Sequence, residues 1–398
     1  MRIGIFTDSY KPYTSGVVTS IITFKAELEK LGHKVYIFAP NYPHYDEEEP
    51  DVFRYLSVPA PTNPDFTLAI PILPGMRQQI KRLRLDIIHV HSPAIMGRVG
   101  MHYARLFRLP IVFTYHTLYE QYTHYLPVAQ DFAKDMTVKY SSKFCNDCDH
   151  VVVPAQEIEE MLSGYGIRTP VSVIPTGVPL HKFVHLDGDW LRKNYSIPAE
   201  NKILLFVGRL TKEKNLDFLI KTFKQVLEER SHTTLAITAQ GPEEAHLKKL
   251  AVHLGLKLGE DIVFTGAVPY ETLVQVYYAA DLFVFSSLTE TQGLVLIEAM
   301  AAGLPVVAVR ASGVHEMVDD GKDGILTDLD QDELAAAILK VLEDEKLYQY
   351  FSNNALLKAQ ALSSQNMALK LEEIYEELLS KKFYRPRRFL DVGSWFSI

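Results

Sequence analysis

Glu290 and Glu298 bracket the one stretch of this chain whose composition goes beyond ordinary packing. Between them runs Thr291-Gln292-Gly293-Leu294-Val295-Leu296-Ile297, and beyond them Ala299-Met300-Ala301-Ala302-Gly303-Leu304-Pro305-Val306-Val307. The pattern reads as a strand over Leu282–Phe285, a polar loop, a helix from Gly293 stopped at Gly303-Leu304-Pro305, and a buried strand over Val306–Val309. A loop leading from a strand's carboxyl end into a helix is where open α/β sheets hold anions, because the first-turn N–H groups have no partner within the helix. The helix is almost wholly apolar and therefore buried, so Glu298 within it needs hydrogen-bond donors. Taken alone, the two acids would be a surface carboxylate and a helix carboxylate in an ordinary crossover.

Three other segments sit at comparable junctions. Gly208-Arg209-Leu210-Thr211-Lys212-Glu213-Lys214-Asn215 follows the apolar run Ile203–Val207 and concentrates cations at a strand end. Asp8 to Gly16 follows the first strand and ends in Ser15-Gly16, where a glycine lets a ligand approach the backbone closely. His116 ends the strand Ile111–Thr114 and opens an aromatic-dense run, Thr114-Tyr115-His116-Thr117-Leu118-Tyr119-Glu120-Gln121-Tyr122-Thr123-His124-Tyr125-Leu126-Pro127. In isolation each has a plainer reading: a solvated basic turn, a helix start, a structural histidine.

Together they resemble the signature of the retaining glycosyltransferases of family GT4, which have the GT-B fold and use nucleotide-activated sugars. That signature has two glutamates separated by seven residues, the second opening Glu-Ala-Met/Leu-Ala-x-Gly-x-Pro-Val-Val. At helical rise the spacing covers roughly 12 Å, about the reach from the hexose of a nucleotide sugar to its ribose. The resemblance implies that Arg209 and Lys214 neutralise the diphosphate leaving group and that Gly16 approaches it from across a cleft. It places Gln292, Gly293, Leu294 and Val295 at the donor, Glu298 on the ribose, and Glu290 and His116 at the transferred sugar. No protein nucleophile, metal or resident cofactor is implied. The family reaction has the acceptor oxygen attack from the leaving-group side, with a donor phosphate oxygen taking its proton. The long motif around His116, and Thr289-Glu290-Thr291-Gln292-Gly293, are similar to a narrower branch, the bacterial diacylglycerol glucosyltransferases. That branch implies glucose from UDP-glucose as donor group and diacylglycerol as acceptor. A GDP-mannose donor, phosphatidylinositol or a soluble sugar as acceptor, or a non-catalytic nucleotide-sugar binder remain alternatives.

The elements that must position these residues alternate. Strands are expected at Ile3–Phe6, Val35–Ala39, Asp86–His91, Ile111–Thr114, Val151–Val153 and Val171–Ile174, with helical patterns between most, which means a parallel doubly wound sheet. The rhythm breaks at Pro175-Thr176-Gly177-Val178-Pro179 and restarts at Ile203, with strands at Thr234–Thr238, Ile262–Thr265, Leu282–Phe285, Val306–Val309 and Gly324–Thr327. The expected division is 1–178 as an acceptor-side Rossmann-like domain, 179–362 as a nucleotide-sugar domain, and 363–398 as a closing helix and tail. Helices near 331–344, 346–361 and 365–380 are expected to close the second domain.

At 398 residues the chain suits two domains. Its formal charge of −8, of which residues 1–181 carry only −1, argues against a nucleic-acid partner. Met1-Arg2-Ile3 runs straight into a strand and no run of 18 apolar residues occurs, so a cytoplasmic protein, peripheral on the inner face of the cell membrane, is expected. Cys145 and Cys148 lack the two further ligands a zinc site needs and read as structural thiols. His89 and His91, on one face of a strand, read as packing residues. Within 63–85, Phe66, Leu68, Ile70, Ile72, Leu73 and Met76 precede four cations, Arg77, Lys81, Arg82 and Arg84, and Arg98, Arg105 and Arg108 extend them. Cations beside apolar residues suit an anionic membrane surface, although the stretch equally reads as an amphipathic crossover helix. The tail 381–398 mixes cations and aromatics in the same way.

Overall fold

Uninterrupted apolar runs such as Leu282–Phe285 form strands buried on both faces, and in the structure they assemble into two parallel sheets. This computed structural model describes residues 1–43, 45, 49–60, 63–71, 75–116, 130–184 and 188–382.

The first domain runs β1 (Arg2–Phe6), α1 (Gly16–Lys30), β2 (Lys34–Pro40), β3 (Val52–Tyr55), β4 (Ser57–Ala60), β5 (Asn63–Ala69), α2 (Met76–Leu83), β6 (Ile87–Val90), α3 (Ile95–Phe107), β7 (Ile111–Thr114), α4 (Gln130–Asn146), β8 (His150–Val153), α5 (Gln156–Gly164) and β9 (Val171–Val173). Its sheet order is β3-β2-β1-β6-β7-β8-β9, with β4 and β5 forming a separate antiparallel hairpin. The second domain runs α6 (Trp190–Tyr195), β10 (Lys202–Val207), α7 (Leu216–Glu229), β11 (Thr233–Thr238), α8 (Glu244–His253), β12 (Ile262–Phe264), α9 (Tyr270–Tyr278), β13 (Leu282–Phe285), α10 (Leu294–Ala301), β14 (Val306–Val309), β15 (Gly324–Thr327), α11 (Gln331–Glu343) and α12 (Glu345–Ala361). Its order, β12-β11-β10-β13-β14-β15, is again a Rossmann arrangement. In both sheets the chain reverses its direction of travel at one point, between β1 and β6 and between β10 and β13. Ligands of open α/β sheets bind outside the strand carboxyl ends at such points.

The last helix, α13 (Ser364–Lys382), corrects one expectation. It does not close the second domain. Met367, Ala368, Leu371, Tyr375 and Leu378 are buried with Ile3, Ile5, Ile21, Phe24 and Leu28 in the core of the first. Polar contacts fix the seat: Ser364 Oγ donates to Glu27 at 2.9 Å, and His33 Nε2 meets Glu372 at 2.6 Å. An amphipathic stripe says that a helix must be covered, but not by which surface. The chain therefore crosses between domains twice, near Val178 and near Ser363, where the crossings bond to each other: Val178 N–H to Leu362 O at 3.0 Å and Ser364 N–H to Val178 O at 2.8 Å.

β3 and the β4–β5 hairpin were not legible in the sequence. Pro59 and Pro64 remove ladder donors there and break the alternation that marks a strand. No helix among the described residues is long and apolar enough to cross a membrane.

Candidate functional site

At the reversal point of the second sheet, the Gly208–Asn215 loop and the Ser286–Gly293 loop lie side by side. Leu288 N–H donates to Glu213 O at 3.1 Å and Ser286 Oγ to Lys214 O at 2.8 Å, so the second loop holds the first in place. Lys214 Nζ forms an ion pair with Glu290, the two side chains being 17% and 14% exposed. The spacing of the two motifs does not foretell this pairing. Sequence reasoning gave the residues separate duties, one at the diphosphate and one at the sugar, whereas here they form one hydrogen-bonded unit. Arg209 is exposed and has no ion pair among the described residues. A neighbouring contact that the sequence missed comes from Gly313. At φ +69° it lies in the left-handed region, and a Cβ there would collide with the Glu290 carbonyl oxygen. The Thr289–Ser312 bridge, with Glu290 N–H donating to Ser312 O at 3.2 Å, completes the support.

Gly293 takes φ +71° immediately before α10, which leaves the first-turn N–H groups of that helix without a side-chain cap. Leu294 and Val295 supply that turn and are half-buried. Gln292 is placed differently from the sequence expectation. Its side-chain amide does not point to a ligand: Oε1 accepts from Thr176 N–H at 2.8 Å and Nε2 donates to Thr176 O at 2.7 Å, both buried. The residue locks the donor-side loop to the crossing between domains.

Glu298, on the second turn of α10, finds its donor within the protein. Tyr277 of α9 donates to Oε2 at 2.9 Å, and the Tyr270 hydroxyl faces the same carboxyl group. Burial raises the acid to about 7 despite both tyrosines, which pull it back down. Glu298 is thus an acid that titrates near neutrality.

In the first domain the loop after β1 is tied down by Asp8, which accepts from Ser92 Oγ and, at 3.0 Å, from Met96 N–H at the start of α3. Ser15, the departure from a Gly-Gly pair, is the N-cap of α1, its Oγ accepting from Val18 N–H at 3.3 Å. A Cβ on Gly16 would meet nothing within 4 Å. The chain's own packing does not demand a glycine there. His116 follows β7 and is half-buried; its Nε2 lies 2.8 Å from His91 Nδ1, and the rings stack 5.0 Å apart at 19°. His89, two residues back in β6, bonds Tyr375 at 2.6 Å and Thr114 at 2.7 Å. Burial pushes His116 and His89 down to about 3, so both rings are neutral.

Loops at the carboxyl ends of the two sheets meet beyond β8 and β14. Glu316 of the second domain accepts from Gln156 and Glu157 N–H at the start of α5, at 2.5 and 2.7 Å, and Ser312 Oγ donates to Glu157 at 2.8 Å. Glu157, His315 and Glu316 bring three possible metal-binding groups together, but both Glu316 oxygens are already engaged. Cys145 and Cys148 are buried and unbridged, and burial raises the first thiol to about 12. Inert structural thiols fit that environment.

Residues 14–182 match the family described as Glycosyltransferase Family 4, and residues 189–358 that described as Glycosyl transferases group 1. Over 97% of the chain and 88% of its partner, the sequence is 34% identical to an alpha-monoglucosyldiacylglycerol synthase of Streptococcus pneumoniae. The chain belongs to glycosyltransferase family 4. A second alpha-monoglucosyldiacylglycerol synthase, from Acholeplasma laidlawii, is 31% identical over 96% of the chain and 98% of its own length. Among solved structures, a sucrose-phosphate synthase from Thermosynechococcus elongatus superposes with TM-score 0.76 at 22% identity, covering 95% and 99% of the two chains. The protein is a hexosyltransferase of GT-B fold, and the facing carboxyl edges of its two sheets are the cleft of that fold.

Away from the cleft, α2 buries Met76 and Ile80 and exposes Arg77, Lys81 and Arg82, with the C-cap Arg84 exposed beside them, none of the four in an ion pair among the described residues. Gln78, Lys81, Arg82 and Arg84 line a depression of about 530 Å³. The apolar neighbours differ from the sequence expectation: Met76 is core, Phe66 packs edge-on against Tyr13, and Ile72 and Leu73 lie outside the described residues. Instead Leu56, Val58 and Ile70, at 60%, 50% and 39% exposure, share the outward face of the β4–β5 hairpin. Of the expected extension, Arg105 pairs with Asp147 at 3.1 Å and Arg98 stacks on Tyr140. In the tail, residues 383–398 lie outside the described residues.

Proposed function

We propose that this transferase moves glucose from UDP-glucose, with retention, onto the hydroxyl of diacylglycerol at an anionic membrane surface. The observation that carries the reading is the likeness to two alpha-monoglucosyldiacylglycerol synthases, which runs through the acceptor-side domain as well as the donor-side one. In this reading Arg209, Lys214 and the N–H groups after Gly293 draw the charge of the departing diphosphate. Glu298 accepts from the ribose, Glu290 and His116 orient the hexose, and Gly16 leaves the diphosphate room to approach. The acceptor oxygen attacks from the leaving-group side while a donor phosphate oxygen takes its proton. Docking is peripheral, on the inner face of the cell membrane. The exposed hairpin residues Leu56, Val58 and Ile70 supply apolar contact, and the α2 cations supply attraction to lipid phosphates.

Incubating the full chain with labelled UDP-glucose and vesicles of phosphatidylglycerol containing diacylglycerol tests the reading. Label should enter the organic phase as an alkali-stable α-glucoside, and labelled GDP-mannose should transfer poorly. Transfer from GDP-mannose instead, or to phosphatidylinositol or a water-soluble sugar in preference to diacylglycerol, would overturn the assignment of donor or acceptor.

A further inference from the structure

Resting on the reading that His116 faces the transferred sugar, we propose that His91 is a positioning residue. It holds His116 as the Nδ1–H tautomer, so that the cleft receives a hydrogen-bond donor at this point and no base.

Strand geometry sets the pair up. His89 of β6 and His91, just past that strand's end, lie two residues apart with their rings 4.3 Å from each other, and β7 alongside delivers Thr114 and then, past its end, His116. His89 is satisfied at both nitrogens, by Tyr375 and Thr114. His91 is not: its Nδ1 meets His116 Nε2 at 2.8 Å, while its Nε2 is buried without a hydrogen-bond partner. One proton lies between Nδ1 of His91 and Nε2 of His116, and two arrangements are open. If His116 donated it, His91 would carry its own proton on Nε2, a buried N–H with no acceptor. If His91 donates it, Nε2 keeps only a bare lone pair. Orphaned buried N–H groups are rarer in folded proteins than under-used acceptors, so the second arrangement is the stable one. The ring nitrogen that carries the proton is set by the bond the other nitrogen makes, and His116 therefore carries its proton on Nδ1. That nitrogen has no partner among the described residues.

The rings also stay neutral. Burial, His89 and His116 all hold His91 far below the ordinary imidazole range, and no carboxylate acts on either ring. His116 can then offer an N–H to a hydroxyl or phosphate oxygen of the donor, but it cannot take a proton from the acceptor while its outward nitrogen already bears one. The chain of contacts reaches back to α13 through the His89 ring, tilted and 4.3 Å from that of His91, and Tyr375.

The test uses the full chain with 15N-labelled histidine and long-range 1H–15N correlation spectra, the signals being assigned from H91N and H116Q. Both His91 and His116 should carry the proton on Nδ1, and neither should titrate between about pH 6 and 8, the range of an ordinary imidazole. A proton on Nε2 of His116, or a charged ring in that range, overturns the proposal. Kinetics of UDP-glucose hydrolysis give the functional arm. H91L should lower kcat about tenfold or more with KM little changed, as loss of a supporting hydrogen bond does. H91N, whose amide nitrogen lies where Nδ1 lay, should recover most of the loss. Equal loss in H91L and H91N, with thermal melts showing both folded, would mean that His91 only fills space. Should H91L not fold, H91N and the wild-type spectra still decide. The spectra need no substrate, so absent turnover on any nucleotide sugar would sink the functional reading and leave the proton placement standing.

Discussion

The ion pair between Lys214 and Glu290 makes a demand that two independent site residues would not. Each side chain keeps only 17% or 14% of its surface, so neither charge is well hydrated. Exposed pairs contribute about 0–1 kcal/mol, whereas breaking a fully buried pair costs about 3–5 kcal/mol, much of it from the stranded charge. A pair this far buried belongs between those limits, with a coupling of about 2 kcal/mol, or roughly 30-fold in rate. K214A and E290A should each lower kcat/KM for UDP-glucose turnover by about 10²-fold or more, because each loses a contact to the reacting centre and strands its partner. The double variant loses both contacts but strands nothing. Its loss should therefore be about 30-fold smaller than the product of the single losses, with part of any drop in thermal stability recovered too. Steady-state kinetics on the four proteins close the cycle. Single losses that multiply to within about twofold would show that the two groups act separately and that the pair has no energetic meaning.

R209A should also lower kcat by about 10²-fold, with thermal stability unchanged because Arg209 is exposed and in no ion pair among the described residues; equal kcat would remove it from the diphosphate. Glu298, raised to about 7, is neutral in the folded protein below that pH and is forced to ionise above it. Its contribution to folding is therefore lost as pH rises from the ordinary glutamate range through 7, and E298Q should gain stability over wild type at pH 8 but not at pH 5. If the ribose donates to the ionised acid, UDP affinity by calorimetry should rise through the same window in wild type and be flat in E298Q; a flat wild-type profile rejects the contact. Two glycines separate folding from ligand approach: G313A should lower Tm, the left-handed backbone alone costing about 1–2 kcal/mol, while G16A should melt no lower than wild type yet turn over more slowly. Replacing Arg77, Lys81, Arg82 and Arg84 together by Ser should remove roughly 3–4 kcal/mol of attraction to anionic vesicles and leave hydrolysis in solution intact. Unchanged co-sedimentation would move docking to another surface.

Much of the architecture could be read in one dimension because parallel strands buried on both faces are plain apolar runs, and the site loops sit at their ends. Arg209, Lys214, Glu290, Gly293 and Glu298 all fall at the reversal point that the sheet order defines, Gly16 falls at its counterpart, and His116 lies one strand further along, after β7. What could not be read is whatever depends on partners distant in sequence. The Lys214–Glu290 bond spans 76 positions, and the Gln292–Thr176 bonds span 116. Tyr270 and Tyr277, the hydroxyls facing Glu298, look from the sequence like ordinary helix aromatics. Gly313 shows its purpose only against the carbonyl of Glu290. The hairpin escaped for a different reason, since its prolines erase the local signal itself.

The double crossing at Val178 and Ser363 means that the second domain is inserted into the first. During synthesis the first nine strands and α1 emerge well before the helix that covers Ile3 and Ile5 of β1 and Ile21 of α1. The part of that domain's core that α13 covers must wait while some 180 further residues are made, at roughly 5–20 residues per second. The second domain carries its own core and can close without help, so it is the natural first folding unit even though it is made later. Chaperone capture in that interval, and aggregation of a fragment ending at the first crossing, follow from where α13 lies in the chain.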